Sequence, residues 1–453
     1  MTNCAGVVLA AGKGTRMKSK VPKLMLPMCG RELLSFPLEA LAEAGVDQIV
    51  LVVSRDGSGL DHSTDMTIQS VIQEQPLGTG HALDCASRVL HGQADHILVL
   101  NGDLPLVRTS TLDRMLSQHI AQKASVTLLT AAPSPAAGMG RVLRDAEGNI
   151  CDIVETRDSS EADPGNWECN GGAYCFEASW LWENLPKVQP SASGEIYLTS
   201  LISSAYGQGA GVGSLLLDEP TELLGINTRY QLALAEEVMR ERIRLHWMDE
   251  GVTMIDPRTT FLDADVRLGQ DTVIYPNTMV LGKSNVGEDC TLGPGSTIRD
   301  SQVGDRCRVV ASFLTEATLE SGVSVGPYCH LRPGTYLEEG VHVGTFAEIK
   351  NSRLGQGTAM GHFGYIGDAT VGEGVNLGAG TVTCNYDGES KHRTTIGDEA
   401  FIGSDTMLVA PVEVGPGAAT GAGAVVTHDV PPSGLAVGVP ARIVGTRKKP
   451  AGP

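Results

Sequence analysis

Through about residue 226 the chain alternates short apolar runs with stretches whose apolar residues recur every three or four positions. The runs Gly6–Leu9, Gln48–Val53, Ile97–Leu100 and Val126–Thr130 predict strands. Between them Leu33–Ala44, His81–Leu90 and Thr111–Gln122 predict helices. That alternation implies a mostly parallel sheet with helices on both faces, where ligands gather at the carboxyl ends of the strands. From Thr228 to Glu250 a further helix is expected. Its stripe of Leu232, Ala235, Met239, Ile243 and Trp247 reads as packing rather than chemistry.

Beyond residue 262 the period changes to six. Leu268, Ile274, Val280, Val286, Leu292 and Ile298 keep it without a gap. So do Leu319, Val325, Leu331, Leu337, Val343 and Ile349, and later Ile396, Ile402, Leu408 and Val414. Neither a helix nor a strand yields that period alone. Hexads predict a parallel β-helix in which each makes one flat side, its aliphatic residue points inward, and three sides complete a coil. The repeat breaks at Cys384–Thr395, an insertion expected to form a loop on one face.

Glycine sharpens the division: 32 of the 55 lie in residues 251–453, a density that helices tolerate badly. The expected organisation is a domain at 1–227, a linker helix at 228–250 and a solenoid at 251–453. With 34 basic and 53 acidic residues the net charge is −19, which repels nucleic acid but leaves local sites free to hold small anions. No apolar run approaches the roughly 20 residues of a membrane span. The start MTNCAGVVLAAGKGTR lacks the pattern of a secretory signal. Ten cysteines without a C-x-x-C pair argue against a zinc site or a disulfide framework. A cytoplasmic, reducing location is expected.

The candidate chemistry follows the strands. Leu9, Ala10, Ala11 and Gly12 lead into Lys13, Gly14 and Arg16, small residues that let backbone N–H groups approach phosphates beside two cations. The loop is not a Walker A motif, because Gly14 stands where Ser or Thr is required, and Met17 excludes a dinucleotide fingerprint. Lys23 adds a third cation, and Asp103 ends an apolar strand on a carboxylate suited to a hard cation. Asn227 precedes the linker helix. Because Thr228 and Gln231 form a capping box of their own, its side chain is available for other work. In the solenoid, His362 offers a neutral imidazole that can take a proton from an attacking amine near pH 7, and Glu348 is placed to orient it. Arg332, Lys350, Tyr365, Asn376, Tyr386 and Lys391 recur around it at repeat-related spacings, a cationic group that suggests a bound phosphate.

The first half resembles the sugar-1-phosphate nucleotidylyltransferases, and more narrowly the uridylyltransferases acting on N-acetylglucosamine 1-phosphate. The blocks are LAAGKGTRM with Pro22-Lys23, Leu77–Ala82, Gly140-Arg141, Ile153–Glu155 and Asn170–Gly172. The resemblance implies a Rossmann-like domain in which Leu9, Ala10, Ala11, Gly12 and Lys23 line the nucleotide and phosphate site. Gln73, Gly78 and Thr79 would read the uracil end, and Gly140, Glu155 and Asn170 would bind sugar and ribose. Asp103 and Asn227 would hold Mg²⁺, and Lys13 and Arg16 would offset charge developing during transfer. Ile196 and Ser200 depart from that family's pattern.

The second half resembles the acetyltransferase part of the bifunctional bacterial enzymes of UDP-N-acetylglucosamine synthesis, through Arg332–Gly334, Glu348–Lys350, Gly361–Tyr365, Asn376–Thr381, Thr383–Gly388 and Gly403–Asp405. It implies a left-handed β-helix, a homotrimer, and His362 as general base. Arg332, Lys350, Tyr365, Asn376 and Lys391 would bind glucosamine 1-phosphate. Ala379, Asn385, Tyr386, Ser404 and Ala422 would contact acetyl-CoA, with UTP the other co-substrate. Gly438 stands where some relatives have an arginine, leaving Arg442 as the nearby cation. Two rival readings fit less well. A single-activity nucleotidylyltransferase leaves His362, Lys350 and Lys391 without work, and a non-enzymatic exchange-factor scaffold would not keep Gly12, Lys13, Lys23 and Asp103 together.

Overall fold

The computed structural model describes residues 3–46, 48–55, 68–132, 139–155, 167–191 and 194–447. The chain forms two compact units, Met1–Met239 and Arg240–Pro453.

Among the described residues the first unit holds eleven strands and five helices ahead of its last one. The strands are β1 (Cys4–Ala10), β2 (Pro27–Met28), β3 (Arg31–Glu32), β4 (Gln48–Ser54), β5 (Ile68–Gln73), β6 (His96–Asn101), β7 (Val126–Ala131), β8 (Arg141–Arg144), β9 (Ile150–Val154), β10 (Cys169–Glu177) and β11 (Val212–Leu216). The helices are α1 (Ser35–Glu43), α2 (Thr79–Leu90), α3 (Thr109–Gln122), α4 (Ala178–Asn184) and α5 (Ser200–Gly207). The main sheet runs β11-β7-β10-β6-β1-β4-β5. Central β1 pairs in parallel with both β4 and β6, and helices cover both its faces, which is why it is apolar throughout. Each expected strand and helix lies at its place.

β10 departs from the expected pattern. It runs antiparallel between β6 and β7, and its register shifts between Asn170 and Tyr174. The Gly171-Gly172 pair makes that bulge. Gly172 has φ +70, and a Cβ there would come within 2.3 Å of Asn101 Nδ2, so only glycine lets the strand pass the carboxyl end of β6.

The connecting helix α6 spans Arg229–Asp249, one residue inside the expected limits at each end. Leu232 and Ala235 are buried, and Trp247 packs into the solenoid core of the second unit. Among the described residues no helix is long and apolar enough to cross a membrane.

Among the described residues the second unit is three sheets of twelve, ten and nine short strands, parallel throughout except that the last strand, Arg442–Thr446, runs antiparallel to Gly434–Val437. One coil advances 18 residues, so Leu268 faces Val286, Ile274 faces Leu292 and Val280 faces Ile298. All six point inward and are buried. The interval shortens to five at Ile298–Val303, Val309–Leu314, Leu314–Leu319, Ile349–Leu354 and Ile366–Val371. In each case the second residue after the first aliphatic takes positive φ: Asp300 (+48°), Ala311 (+43°), Glu316 (+47°), Asn351 (+44°) and Asp368 (+51°). Six-residue sides mostly turn at the third position, as at Asp271 (+60°), Asn277 (+60°) and Gly340 (+69°), so a five-residue side brings its left-handed turn one position earlier and keeps the inward register.

Small residues fill the inner corners ahead of these strands. Thr272, Thr278, Ser284, Cys290, Ser296, Ser301, Cys307 and Ser312 are all buried. Their hydroxyls bond carbonyls nearby, as Thr278 Oγ1 does to Tyr275 O at 2.7 Å. Cys290 and Cys307 therefore serve as corner fillers.

Two candidate active sites

In the first unit a cleft of about 600 Å³ opens at the carboxyl ends of β1 and β6. Leu9, Ala10, Ala11, Gly12, Lys13, Arg16, Lys23, Gln73, Gly78, Thr79, Asp103, Gly140, Glu155, Asn170 and Asn227 all line it. The loop after β1 bends at Gly14 (φ +58), where a Cβ would meet the Lys23 Cβ at 2.6 Å. Glycine here lets the loop close onto Lys23, while Lys13 and Arg16 stay exposed at the mouth.

Lys23 Nζ lies 2.6 Å from Asp103 Oδ2 and 3.3 Å from Asn227 Oδ1. The expected division of labour at Asn227 holds locally. Thr228 Oγ1 accepts the Gln231 N–H at 3.2 Å, and Gln231 Oε1 accepts the Asn227 N–H at 2.9 Å. The Asn227 amide oxygen is thereby turned to the cleft. A carboxylate and an amide oxygen meeting on one cationic atom are a hard donor set, which fits a divalent ion of the Mg²⁺ kind.

The far wall is held by Gly78 (φ +109), whose Cβ would lie 2.5 Å from Ile196 O. Gln73 Nε2 donates to Gly78 O at 3.0 Å, and Thr79 Oγ1 accepts the Leu198 N–H at 3.0 Å. Glu155 Oε1 accepts from Thr199 Oγ1 at 2.9 Å. Asn170 Nδ2 donates to the Tyr174 hydroxyl at 2.6 Å, and burial pushes that phenol above its ordinary range.

In the solenoid the candidates fall into rows. His362 lies in the corner between strands Ala359–Met360 and Gly364–Gly367. Ala379, Ser404 and Ala422 occupy the same corner in the three following coils, between Asn376–Leu377 and Thr381–Cys384, Phe401–Ile402 and Met407–Val409, and Ala419–Thr420 and Val425–Val426. On the next sheet Glu348 faces Tyr365 in register. Gly367 lacks the Cβ that would come within 2.3 Å of the Tyr365 hydroxyl, so the ring lies across it.

At the far edge of that sheet Arg332 Nη1 donates to Glu348 Oε1 at 2.7 Å. Lys350 and Lys391 are close enough that Lys391 holds the Lys350 ammonium below its usual range. Lys391 comes from the insertion, where Tyr386 and Lys391 form an antiparallel bridge. The turn between them is closed on Asp387 Oδ1, which accepts the N–H groups of Glu389 (2.8 Å) and Ser390 (2.7 Å). Asn385 is anchored to Asp368 and stands 3.5 Å from the Tyr365 hydroxyl.

Residues 6–156 match the MobA-like NTP transferase domain family, and residues 265–300 and 393–428 match the six-repeat bacterial transferase hexapeptide family. The chain is 44% identical over 441 residues to the bifunctional protein GlmU of Trichlorobacter lovleyi, covering 96% of each chain. It is 43% identical to that of Pelobacter propionicus, again over 96% of each. A 44% identity to that of Heliobacterium modesticaldum spans 95% of this chain and 94% of the relative.

The chain belongs to the bifunctional GlmU family. It is a bifunctional transferase with a nucleotidyltransferase half and a left-handed hexapeptide β-helix acetyltransferase half. Its GlmU-like sites also show what residue patterns missed. Ile196 and Ser200 do not line the cleft, whereas Glu195 before them and Tyr197, Leu198 and Thr199 between them do. Ile196 acts through its backbone, accepting the Gly80 N–H at 2.8 Å. Asn101, Tyr174 and Gly225 also line the cleft. Asn101 ends β6 with no charge or motif to mark it, and Tyr174 lies in a strand that the glycine pair disguised.

In the GlmU-like solenoid, Glu348 has Arg332 as its partner, and the His362 ring makes no hydrogen bond among the described residues. Asn376 lies on a different sheet from Tyr365 and Lys350. One copy therefore does not bring it to the cationic row. Gly438 (φ +97) sits in the turn before the last strand. Arg442 begins that strand, is exposed, and donates to Ala441 O at 3.3 Å.

Proposed function

We propose that the two halves carry out consecutive steps of UDP-N-acetylglucosamine synthesis in the cytoplasm. Acetyl-CoA first acetylates glucosamine 1-phosphate, and UTP then reacts with the N-acetylated product to release pyrophosphate. In the solenoid His362 takes a proton from the 2-amino group as the nitrogen attacks the thioester carbonyl. The C–N bond forms, the C–S bond breaks, and CoA leaves as its thiolate. Arg332, Lys350 and Lys391 hold the sugar phosphate, Glu348 fixes Arg332, and Tyr365 packs on the sugar. Ala379, Asn385, Tyr386, Ser404 and Ala422 line the path of acetyl-CoA. Asn376 reaches the sugar from a neighbouring copy in a homotrimer.

In the first unit the sugar phosphate is already a nucleophile and needs no protein base. Its oxygen attacks the α-phosphorus of UTP, and the bond to pyrophosphate breaks. The loop Leu9, Ala10, Ala11 and Gly12 presents backbone donors, while Lys13, Arg16 and Lys23 offset charge on the transferring group. Gln73, Gly78 and Thr79 read the uracil, and Gly140, Glu155 and Asn170 hold the sugar and ribose. Asp103 and Asn227 would hold Mg²⁺, which supplies charge neutralisation at the phosphates.

The observation that carries the two-reaction reading is the alignment of His362 with Ala379, Ser404 and Ala422 along one corner of the solenoid. A β-helix serving only to assemble copies has no use for it. Asp103→Ala should abolish most pyrophosphate release and leave thiol release from acetyl-CoA at the wild-type rate. Equal loss of both activities in a folded variant would overturn the assignment of separate sites.

A further inference from the structure

A second polar cluster lies in the first unit at the other end of β6 from the nucleotide cleft. His96 opens that strand, whereas Asn101 closes it at the cleft. One ring nitrogen from His96, one from His119 on α3 and the Cys175 thiol on β10 all lie within 4.8 Å of one another. The imidazole rings meet edge to face, with centroids 5.0 Å apart at 89°.

His119 and Cys175 are fully buried. His96 Nδ1 and His119 Nε2 are buried without a hydrogen-bond partner among the described residues. Buried polar atoms almost always have one, because an unmet group loses its hydration without return. An unpartnered ring nitrogen on each histidine of a cluster that also holds a thiol invites a single explanation.

The other nitrogen of His119 strengthens it. Nδ1 lies 2.9 Å from Thr127 Oγ1, so when Nδ1–H donates there the Nε2 lone pair is left for a ligand. Metal-bound histidines are oriented by such outer hydrogen bonds. Glu177 faces His96 in the β6–β10 register and supplies negative charge at the rim.

We propose that His96, His119 and Cys175 form a binding site for a thiophilic divalent cation of the Zn²⁺ class, separate from the oxygen-lined pair Asp103 and Asn227. Two imidazoles and a thiolate suit that chemistry, whereas Mg²⁺ prefers oxygen. Tetrahedral Zn²⁺ brings such ligand atoms to roughly 3.5 Å of one another, so the three side chains close in by about an ångström. Cys175 binds as its thiolate and releases its proton to solvent. A water at the half-buried His96 edge completes the shell. The cation ties α3, β6 and β10 together at the base of the sheet.

The probe is Co²⁺ added to the full-length protein under reducing conditions, read by ultraviolet and visible absorption. One equivalent should produce a thiolate-to-cobalt charge-transfer band, which ions at Asp103 cannot give because no cysteine lines that cleft among the described residues. Zn²⁺ should abolish the band. Cys175→Ser should lose it while retaining pyrophosphate release, Cys290→Ser should keep it, and His96→Ala at the half-buried edge should weaken Co²⁺ binding at least tenfold. A folded wild-type protein without the band at saturating Co²⁺, or a band that survives Cys175→Ser, overturns the site.

Discussion

Lys23 and Asp103 are eighty positions apart, yet the lysine ammonium lies 2.6 Å from the carboxylate, and Asn227 Oδ1 is 3.3 Å from the same nitrogen. The ammonium and a divalent cation would compete for the same two oxygens. Lys23→Met should therefore tighten Mn²⁺ binding to the nucleotide-free protein, measured by electron paramagnetic resonance. The same change removes a phosphate contact, so uridylyl transfer should fall on the order of 10²-fold. Unchanged Mn²⁺ affinity would show that the ammonium is not a competitor.

Gly78 should not tolerate a side chain. Its φ of +109 is strained for any other residue, and a Cβ would lie 2.5 Å from Ile196 O. Gly78→Ala should cost about 1–3 kcal/mol locally and raise KM for UTP roughly tenfold or more, with acetyl transfer untouched. Steady-state kinetics of both reactions checks this.

Lys350 carries a predictable pH signature. Its nearest cause of perturbation is Lys391, which lowers the Lys350 pKa below the ordinary lysine value. An amine with a depressed folded pKa favours the folded state less at low pH, and the repulsion is relieved as pH rises through that pKa. A bound sugar phosphate counters the repulsion and raises the pKa again. Glucosamine 1-phosphate binding should thus take up protons just below the usual lysine range. Calorimetry in two buffers of different ionisation enthalpy measures the uptake, and Lys391→Ala should abolish it.

The solenoid core should behave as a close-packed interior. Leu331 is fully buried at the end of a strand that Arg332 directly follows. Leu331→Ala should destabilise the second unit by about 2–5 kcal/mol, seen as a lower midpoint in urea. Phe313→Ala, at an exposed position of a neighbouring strand, should change it far less.

Much of this was legible in the residues. Hydrophobic runs located β1, β4, β6 and β7, and the period of six located the β-helix. Local patterns pointed to the Leu9–Arg16 loop, Lys23, Asp103 and Asn227, whereas Gln73, Gly78, Thr79, Gly140, Glu155 and Asn170 came from the family resemblance; all of them line the cleft. The five-residue sides were not legible, because the corner that absorbs the missing residue depends on a left-handed Asp300 or Asp368 rather than on any apolar signal. Antiparallel β10 was hidden by a bulge that reads as a turn. Glu348 was expected beside His362, but its partner is Arg332, since side-chain pairing across coils depends on outward geometry that the inward hexads do not encode. The meeting of His96, His119 and Cys175 was invisible because three distant elements bring it about.

The most direct test is thiol release from acetyl-CoA in the presence of glucosamine 1-phosphate, comparing the intact chain with His362→Ala. The wild type should release thiol rapidly, and the variant should lose at least about 10²-fold in rate while pyrophosphate release persists. A folded wild-type protein that releases no thiol, or a variant that releases it at the wild-type rate, would contradict the account.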